Sequence, residues 1–532
     1  MNVRRYQKWA KSGLAILLAG AMMVGTAASG GGMTAQAAET ESSDTVSTQK
    51  AVTSDAASLL FTEKHITSDL TLPTIGASGT TISWKSSNPS VLSNEGKVTR
   101  PKKGAADEEV TLKGTVKMGD YAKARNFTFV VLAESEMGPT KEFALDQVEL
   151  LDDYYLTAQN SDIEFLKKFD NDRLLSRFRE TAGLDTKKIA PYGGWEDGWL
   201  GGHSVGHYLT AIAQAVKATG NADLKEKSKQ LIEGLAECQN KLGTGFIFGA
   251  KIETEGYVEK QFDILEGKTT GKTWVPWYNM HKMLTGLVDT YKYTSNKQAL
   301  EVAKKLGDWI YNRVSKWDAG TQGRVLGTEY GGMNDCLYEL YLCTRDSKHL
   351  EAAHKFDQPN LYKTVAKGGK NCLNGKHANT TIPKFLGALK RYVVLEQTGE
   401  LTKDDEAYLT NVEKFFDIAV TRHAYITGGV SVMEHFRKDN NQDGTRTQTN
   451  CESCCAHNML KMAKELYKVT GDKKYADYYE TTLRNSIMGA VKSESGAAAY
   501  FIPMATGYFK TFGNEDPAKN MFWCCTGSGM EN

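Results

Sequence analysis

The chain has 532 residues, which is too many for one compact core, and its 40% hydrophobic and 24% charged residues are ordinary for a soluble globular protein. Its 65 basic and 64 acidic residues leave a formal net charge of +1. This balance excludes no fold and no class of enzyme, but it gives no reason to expect a nucleic-acid partner. We therefore expect two or three domains and seek the function in local motifs.

The first 37 residues carry the pattern of a secretory signal peptide. Four basic residues lie between positions 4 and 11, an uncharged apolar run follows at 13–28, and small residues at 35–37 suit cleavage. A retained membrane anchor is the weaker alternative because the run is short and rich in glycine. We expect an exported protein, free outside the cell or associated with its surface, that has no contact with a membrane after cleavage.

Residues 38–55 are rich in Ser, Thr and Ala and predict a flexible linker. Residues 56–133 then alternate like strands, and their turn signals predict a small β-sandwich. The stretches 84–91 and 96–98 resemble the atrophied bacterial immunoglobulin-like domains that are appended to secreted enzymes. This segment has no cluster of titratable residues, so we assign it no catalytic role.

After a second linker at 134–142, residues 143–532 change to helical periodicity with an internal repeat. A turn of the type Thr219-Gly220-Asn221 ends one amphipathic helix and begins the next, and it recurs at 294–296, 344–346, 398–400 and 470–472. Five such αα-hairpins predict an (α/α)6 helical toroid. Residues 524–532 read as the opening of a sixth inner helix, and the given sequence stops there. We therefore expect the sixth helix and anything beyond it to be missing and the domain to be incomplete.

The first helix of each hairpin begins with polar or titratable residues. If these helices form the inner ring, their N-termini face one mouth of the barrel, and residues far apart in sequence converge there. The residues concerned are His203 and His207, His281, Glu329 and Asn334, His377, and Glu452 with Cys454.

Five of the nine cysteines lie in two tight groups, 451/454/455 and 524/525. Three thiolates and a carboxylate, from Cys454, Cys524, Cys525 and Glu452, would make a tetrahedral zinc site. Disulfides between the two groups are the alternative in an exported protein, and spacing alone does not decide between the two.

Several motifs together resemble the β-L-arabinofuranosidase families of glycoside hydrolases. The matching stretches, in family order, are 201–208, 278–282, 329–334, 377–383, 427–429, 434–436, 451–460 and 522–525. The resemblance implies the toroid fold, a Zn²⁺ cofactor, a cysteine nucleophile and a glutamate acid/base. It also implies a retaining hydrolase that releases L-arabinofuranose from β-L-arabinofuranosides of plant oligo- or polysaccharides.

The resemblance also implies a role for each matching residue. Cys524 matches the nucleophile and binds zinc with Cys525, Cys454 and Glu452, while Glu434 matches the acid/base. Substrate hydroxyls are expected to be held by His203, His281, Glu329 and His377. Cys455 departs from the family pattern. The sequence does not predict an oligomeric state.

The chemistry is consistent without the family. A free thiol is mostly protonated at neutral pH, zinc holds it as a thiolate, and a thiolate can attack an anomeric carbon as a carboxylate does in retaining enzymes. Two alternatives stay open: the same fold acting on another five-membered pectic sugar, and a non-catalytic carbohydrate-binding protein that keeps zinc for structure. Single histidines in such a chain are more often structural than functional.

Overall fold

The structure is a computed structural model that describes residues 43–61, 64–67, 69–102, 105–133, 140–250, 257–512 and 521–532. The predicted signal peptide and residues 134–139 of the second linker lie outside the described residues. The described chain divides into two compact units: the first holds the residues up to 61 with 73–85 and 113–127, and the second holds the rest. Within the described part, no helix combines the length and the apolar character needed to cross a bilayer.

The N-terminal region contains one helix and four strands. They are α1 (Ser43–Ser58), β1 (His65–Ile66), β2 (Thr81–Ser86), β3 (Glu108–Met118) and β4 (Tyr121–Val131). The strands form one sheet in the order β1-β4-β3-β2, in which β1 runs parallel to β4. Strands β1 to β4 all lie within residues 56–133, and the strand region expected there is confirmed.

The flexible linker predicted over 38–55 is wrong in its described part, which belongs to helix α1. Val52, Ala56 and Leu59 are fully or almost fully buried and pack against Ile82 and Val116. These three residues have helical spacing, but they form a narrow stripe among many Ser and Thr residues. Such a helix is stabilised by tertiary packing more than by its intrinsic propensity, and composition therefore did not reveal it.

The remaining elements are almost all helical. They are α2 (Asp153–Lys167), α3 (Asn171–Ala182), β5 (Gly193–Gly194), α4 (His203–Thr219), α5 (Ala222–Leu242), α6 (Lys260–Leu265), α7 (Pro276–Thr294), α8 (Lys297–Val314), α9 (Ala319–Leu326), α10 (Met333–Thr344), α11 (Ser347–His354), α12 (Pro359–Ala366), α13 (Ala378–Thr398), α14 (Glu406–His423), α15 (Ser453–Thr470), α16 (Lys473–Thr482), β6 (Met521–Phe522) and α17 (Cys524–Glu531).

Six of the described helices pack in a closed ring, in the order α4, α7, α10, α13, α15, α17 and back to α4. The helical toroid predicted from the repeat is therefore confirmed. Residues 524–531, which the sequence predicts to open the sixth inner helix, form about two helical turns between α15 and α4. The apolar faces of the helices fill the core of the toroid.

The repeated turn works as the sequence predicts. Gly220 ends α4 in the left-handed conformation, with φ of 70°, and the side chain of Asn221 accepts a hydrogen bond from Leu224 N to cap α5. Ser295 and Asn296 end α7 and cap α8 in the same way. A left-handed residue followed by a capping side chain reverses the chain within two residues, which stacks consecutive helices antiparallel.

Helices α4 and α7 approach each other closely because a glycine lies on each at the crossing. A Cβ atom on Gly206 would lie 2.1 Å from Lys282 O, and one on Gly286 would lie 2.5 Å from Gly206 O. No side chain fits either gap, since real Cβ contacts essentially never fall below 3.0 Å. The two glycines thus set the distance between the helices that carry His203 and His281.

Candidate active site and metal centre

Two neighbouring ring helices bring the distant cysteine groups together. Glu452 is the N-cap residue of α15 and Cys454 lies in its first turn, while Cys524 and Cys525 begin α17. One ligand atom from each of these four residues lies within 4.8 Å of the others, and all four side chains are buried. The predicted convergence of residues separated by about seventy positions is therefore present in the structure.

The donor set fits a tetrahedral metal ion such as zinc. Cys454 Sγ lies 3.2 Å from Cys525 Sγ, which in turn lies 3.8 Å from Glu452 Oε1. Zinc–sulfur bonds of about 2.3 Å place the ligands of a tetrahedron about 3.8 Å apart, so small adjustments suffice. All nine cysteines are unpaired, and the alternative of disulfides between the two groups is therefore wrong for this structure.

The electrostatics of the cluster also favour a cation. Burial raises the pKa of Glu452 and of the thiols of Cys454 and Cys525 well above their usual values. Hydrogen bonds with these two thiols instead hold the pKa of Cys524 well below its usual value, against the effect of burial. Cys524 is therefore the preferred thiolate of the cluster, and a positive ion is the partner that allows its neighbours to ionise as well.

The position of α17 is fixed by polar contacts along its length. Ser528 Oγ donates a hydrogen bond to Cys454 Sγ at 3.1 Å. At its end, the Glu531 carboxylate contacts Nδ1 of His207 on α4 and lies 3.3 Å from Nε2 of His457 on α15. Because Glu531 joins three members of the ring, it anchors the helix that begins with Cys524.

Glu434 lies close to the cluster and is connected to it by a tyrosine. The hydroxyl group of Tyr500 donates a short hydrogen bond to Glu434 Oε1 and lies 3.7 Å from Cys524 Sγ. Nε2 of His377 lies 3.3 Å from the other carboxylate oxygen. Tyr500 thus bridges the predicted acid/base and the predicted nucleophile.

The backbone that presents Glu434 is strained. Met433 and Glu434 have φ angles of 45° and 64°, while Val432 and His435 on either side exchange hydrogen bonds of 3.0 and 3.1 Å. This is a two-residue hairpin turn with both central residues in the left-handed region, where Asn and Gly are usual. Each such residue costs about 1–3 kcal/mol, and strain of this kind concentrates at functional sites.

His377 orients Glu434 through a defined tautomer. His377 is the N-cap residue of α13, and its Nδ1 accepts a hydrogen bond from Thr380 N at 3.1 Å. The proton therefore sits on Nε2 and is donated to Glu434. This hydrogen bond is the largest of the effects that lower the pKa of Glu434. Burial lowers the pKa of His377, but the hydrogen bond to Glu434 and the charge of Glu329 outweigh it and raise that pKa.

His203 is held by a carboxylate that the sequence did not single out. Glu196 Oε1 lies 2.8 Å from His203 Nδ1, and Glu196 also accepts hydrogen bonds from the N–H groups of Gly202 and Ser204 at the start of α4. Nε2 of His203 is buried and has no hydrogen-bond partner among the described residues. It is therefore available to a bound ligand.

The other two predicted substrate ligands, His281 and Glu329, lie at or near the starts of α7 and α10. Nδ1 of His281 is 2.8 Å from Tyr278 O, and its ring borders a polar cavity of about 20 Å³ inside the ring of helices. The charges of Cys524 and Cys454 contribute to the raised pKa of Tyr278, after the larger effect of burial. Glu329 lies in the loop before α10, and burial raises its pKa.

Sequence reasoning missed Tyr500, Glu196 and Glu531. Tyr500 lies in an irregular segment outside every motif, among 24 tyrosines. Glu196 lies in a short turn seven positions before His203, and no sequence pattern singles this turn out. For Glu531 the sequence did hold a signal: it lies seven residues after Cys524, which places both residues on the same face of a helix.

Comparison with known proteins identifies two regions. The model of the β-L-arabinofuranosidase GH127 catalytic domain matches residues 147–532, and the model of the atrophied bacterial Ig domain matches residues 46–134. A search of curated proteins returns no match.

Two solved structures are similar in fold. The GH127 β-arabinofuranosidase BT3674 shares 18% identity with a TM-score of 0.52, over 74% of this chain and 60% of its own. The GH127 β-L-arabinofuranosidase Ara127N from Geobacillus stearothermophilus T6 shares 16% identity with a TM-score of 0.51, over 72% of this chain and 64% of its own. This chain therefore spans somewhat less than two thirds of the length of either structure.

Proposed function

Because this chain belongs to the family of the GH127 β-L-arabinofuranosidase catalytic domain, we propose that it is a retaining glycoside hydrolase. Its substrates are β-L-arabinofuranosides of plant oligo- or polysaccharides, from which it releases L-arabinofuranose. The observation that carries the proposal is the chain of contacts from the cluster through Tyr500 to Glu434, which connects a thiolate to a carboxyl group in one buried site.

The proposal includes a zinc ion held by Glu452, Cys454, Cys524 and Cys525, whose ligand atoms fit a tetrahedral site. When bound, Zn²⁺ neutralises the negative charge of the thiolates and keeps Cys524 ionised at neutral pH. The remaining chemistry is assigned to side chains of this chain.

In the first step, Cys524 Sγ attacks the anomeric carbon of the arabinofuranose from the face opposite the leaving group. The carbon–sulfur bond forms as the bond to the leaving oxygen breaks, and Glu434 gives its proton to that oxygen. In the second step, Glu434 takes a proton from water, whose oxygen bonds to the anomeric carbon as the carbon–sulfur bond breaks. Two inversions give overall retention, and Cys524 leaves as a thiolate again.

The electrostatics of Glu434 favour its role as the base of the second step. The hydrogen bond from His377 lowers the pKa of Glu434, and the charge of Cys524 opposes it by raising that pKa. When the thiolate becomes a neutral thioether, this opposing effect vanishes and the pKa of Glu434 falls. The carboxylate form then predominates, as the second step requires.

His203 and His377 are assigned to the sugar, as the family motifs indicate. Nε2 of His203 is a buried polar atom without a partner among the described residues, and a hydroxyl group of the sugar supplies one. Glu196 keeps the proton of His203 on Nδ1, so that Nε2 accepts the hydrogen bond. His281 and Glu329 complete the polar lining of the mouth.

The test uses the zinc-loaded full chain and an aryl β-L-arabinofuranoside. We expect Cys524→Ser to lose at least about a thousandfold in kcat, since the nucleophile is removed. Glu434→Gln slows the second step, so mass spectrometry of a quenched reaction finds one arabinosyl group on Cys524. Cys343→Ser, which removes a half-buried thiol in the last turn of α10, keeps the wild-type rate.

Proton NMR of the first-formed sugar distinguishes retention from inversion. A Cys524→Ser variant with wild-type activity, or a product of inverted configuration, excludes the proposed mechanism. A wild-type protein that binds zinc and arabinan fragments but hydrolyses no aryl pentofuranoside favours the non-catalytic alternative.

A further inference from the structure

Cys455 is the cysteine that the proposed mechanism leaves without a role. Its side chain is fully buried, yet its sulfur is not among the four ligand atoms of the cluster. Cys455 Sγ lies 3.1 Å from Glu452 Oε2, and a thiol donates where a carboxylate only accepts. Cys455 is therefore a hydrogen-bond donor to a predicted metal ligand.

Because of this contact, the two carboxylate oxygens of Glu452 have different partners. Oε2 accepts from Cys455, while Oε1 faces the cluster at 3.8 Å from Cys525 Sγ. The backbone of Glu452 is fixed as well, because its N–H group donates to Ser431 Oγ at 3.1 Å. Both ends of the residue are thus held, and the carboxylate presents one oxygen to the metal.

The surroundings of Cys455 make this contact hard to replace. Cys455 packs in a hydrophobic cluster with residues such as Phe436 and Met459, and its thiol donates to Glu452 Oε2 from this apolar surrounding. Without the thiol, Glu452 Oε2 would lose this donor, which is costly for a buried acceptor. The carboxylate would then turn toward the metal and offer both oxygens.

We propose that Cys455 is a positioning residue that holds Glu452 as a one-oxygen ligand of the metal centre. The inference rests on the metal centre of the proposed function and adds a residue to it. Partners that orient metal ligands through a hydrogen bond typically contribute about 10–100-fold to metal affinity. A thiol in this place sets the coordination number to four and so keeps Cys524 in the geometry from which it attacks.

The experiment measures zinc affinity in the full chain by competition with a chromophoric chelator. Cys455→Ala and Cys455→Val remove the donor, and Val nearly preserves the volume, so at least one variant tests the contact in a folded protein. We expect both to bind Zn²⁺ about 10–100-fold more weakly than the wild type. Cys455→Ser keeps a donor and retains most of the affinity.

Cys451→Ala is the matched control. Cys451 is equally buried and lies one residue before Glu452, but its sulfur contacts Thr427 instead of the carboxylate. Its loss leaves zinc affinity unchanged. Substitution with Co²⁺ adds a spectroscopic readout: the visible bands of a four-coordinate ion weaken in Cys455→Val as Glu452 becomes bidentate, while the sulfur-to-cobalt charge-transfer bands keep their intensity.

Each outcome is decisive. Equal zinc affinity in the wild type, Cys455→Ala and Cys455→Val overturns the role of Cys455 and leaves the proposed function intact. Weaker charge-transfer bands in Cys455→Val show that Cys455 is itself a ligand, which also overturns the inference. A wild-type protein that binds neither Zn²⁺ nor Co²⁺ removes the metal centre on which both proposals stand.

Discussion

The close crossing of α4 and α7 leads to a prediction about Gly206. Replacing it by alanine places a Cβ atom 2.1 Å from Lys282 O and 2.8 Å from Met283 N. Both are backbone atoms inside helix α7, so neither can rotate away as a side chain would. To reach even 3.0 Å from the carbonyl oxygen, the helices must separate by about 0.9 Å.

The magnitude follows from two opposing effects. Overpacking of a tight core costs about 1–3 kcal/mol, and a rigid backbone contact belongs at the upper end of that range. Alanine in place of glycine in a helix returns about 1 kcal/mol through its better helical propensity. We therefore expect Gly206→Ala to lower the free energy of unfolding by about 2 kcal/mol.

Gly323→Ala is the matched control for this change. Gly323 lies in α9 and a Cβ atom there would meet nothing within 4 Å. Only the gain in helical propensity remains, so this variant is stabilised by about 0.5–1 kcal/mol.

Urea unfolding followed by circular dichroism at 222 nm compares the two variants with the wild type at constant m value. The close approach is refuted if Gly206→Ala unfolds at or above the urea midpoint of the wild type. It is also refuted if both glycine variants shift in the same direction.

Two further predictions concern proton binding. His377→Ala removes the hydrogen bond that lowers the pKa of Glu434, so that pKa rises. The basic limb of the pH profile of kcat/KM reports loss of the acid's proton and therefore moves to higher pH. A limb that does not move argues against the contact. Burial lowers the pKa of His207, His354 and His423 to about 4 each, whereas an unfolded histidine titrates near 6.5. The unfolded chain therefore binds up to about three more protons, and the stability that these histidines provide is complete above pH of about 6.5 and is lost as the pH falls toward 4. Urea midpoints between pH 7 and 4.5 measure this loss, and His354→Gln should reduce the slope by about one proton; a midpoint independent of pH in this range contradicts the burial of the three rings.

The parts of the fold that follow from local sequence were predictable. The turn at Gly220 and Asn221 needs only a left-handed residue and a capping side chain, both visible in the sequence, and its repetition implies a ring. The grouping of Glu452 with three cysteines likewise allowed a metal site, and the family resemblance, not the spacing, favoured it over disulfides. In these cases the physical cause lies within a few residues of its effect.

The parts that depend on tertiary contacts were not predictable. The neighbours of Tyr500 come from a strained turn and from the start of α17, and no periodicity joins them. Helix α1 was hidden because its buried stripe is narrow and its stability comes from packing. Glu196 is one of 64 acidic residues, and only the folded turn that brings its carboxylate 2.8 Å from His203 Nδ1 singles it out.

The turn that carries Glu434 is less stable than a turn built from the residues usual at its two central positions. Met433 and Glu434 occupy backbone angles that Asn-Gly would adopt without strain, so the chain tolerates a less stable loop for the sake of one carboxyl group. Adopting the commonest residues of such turns to make this protein more heat-resistant would remove its proposed acid/base. A substitution in this turn that raises heat resistance would therefore also reduce turnover.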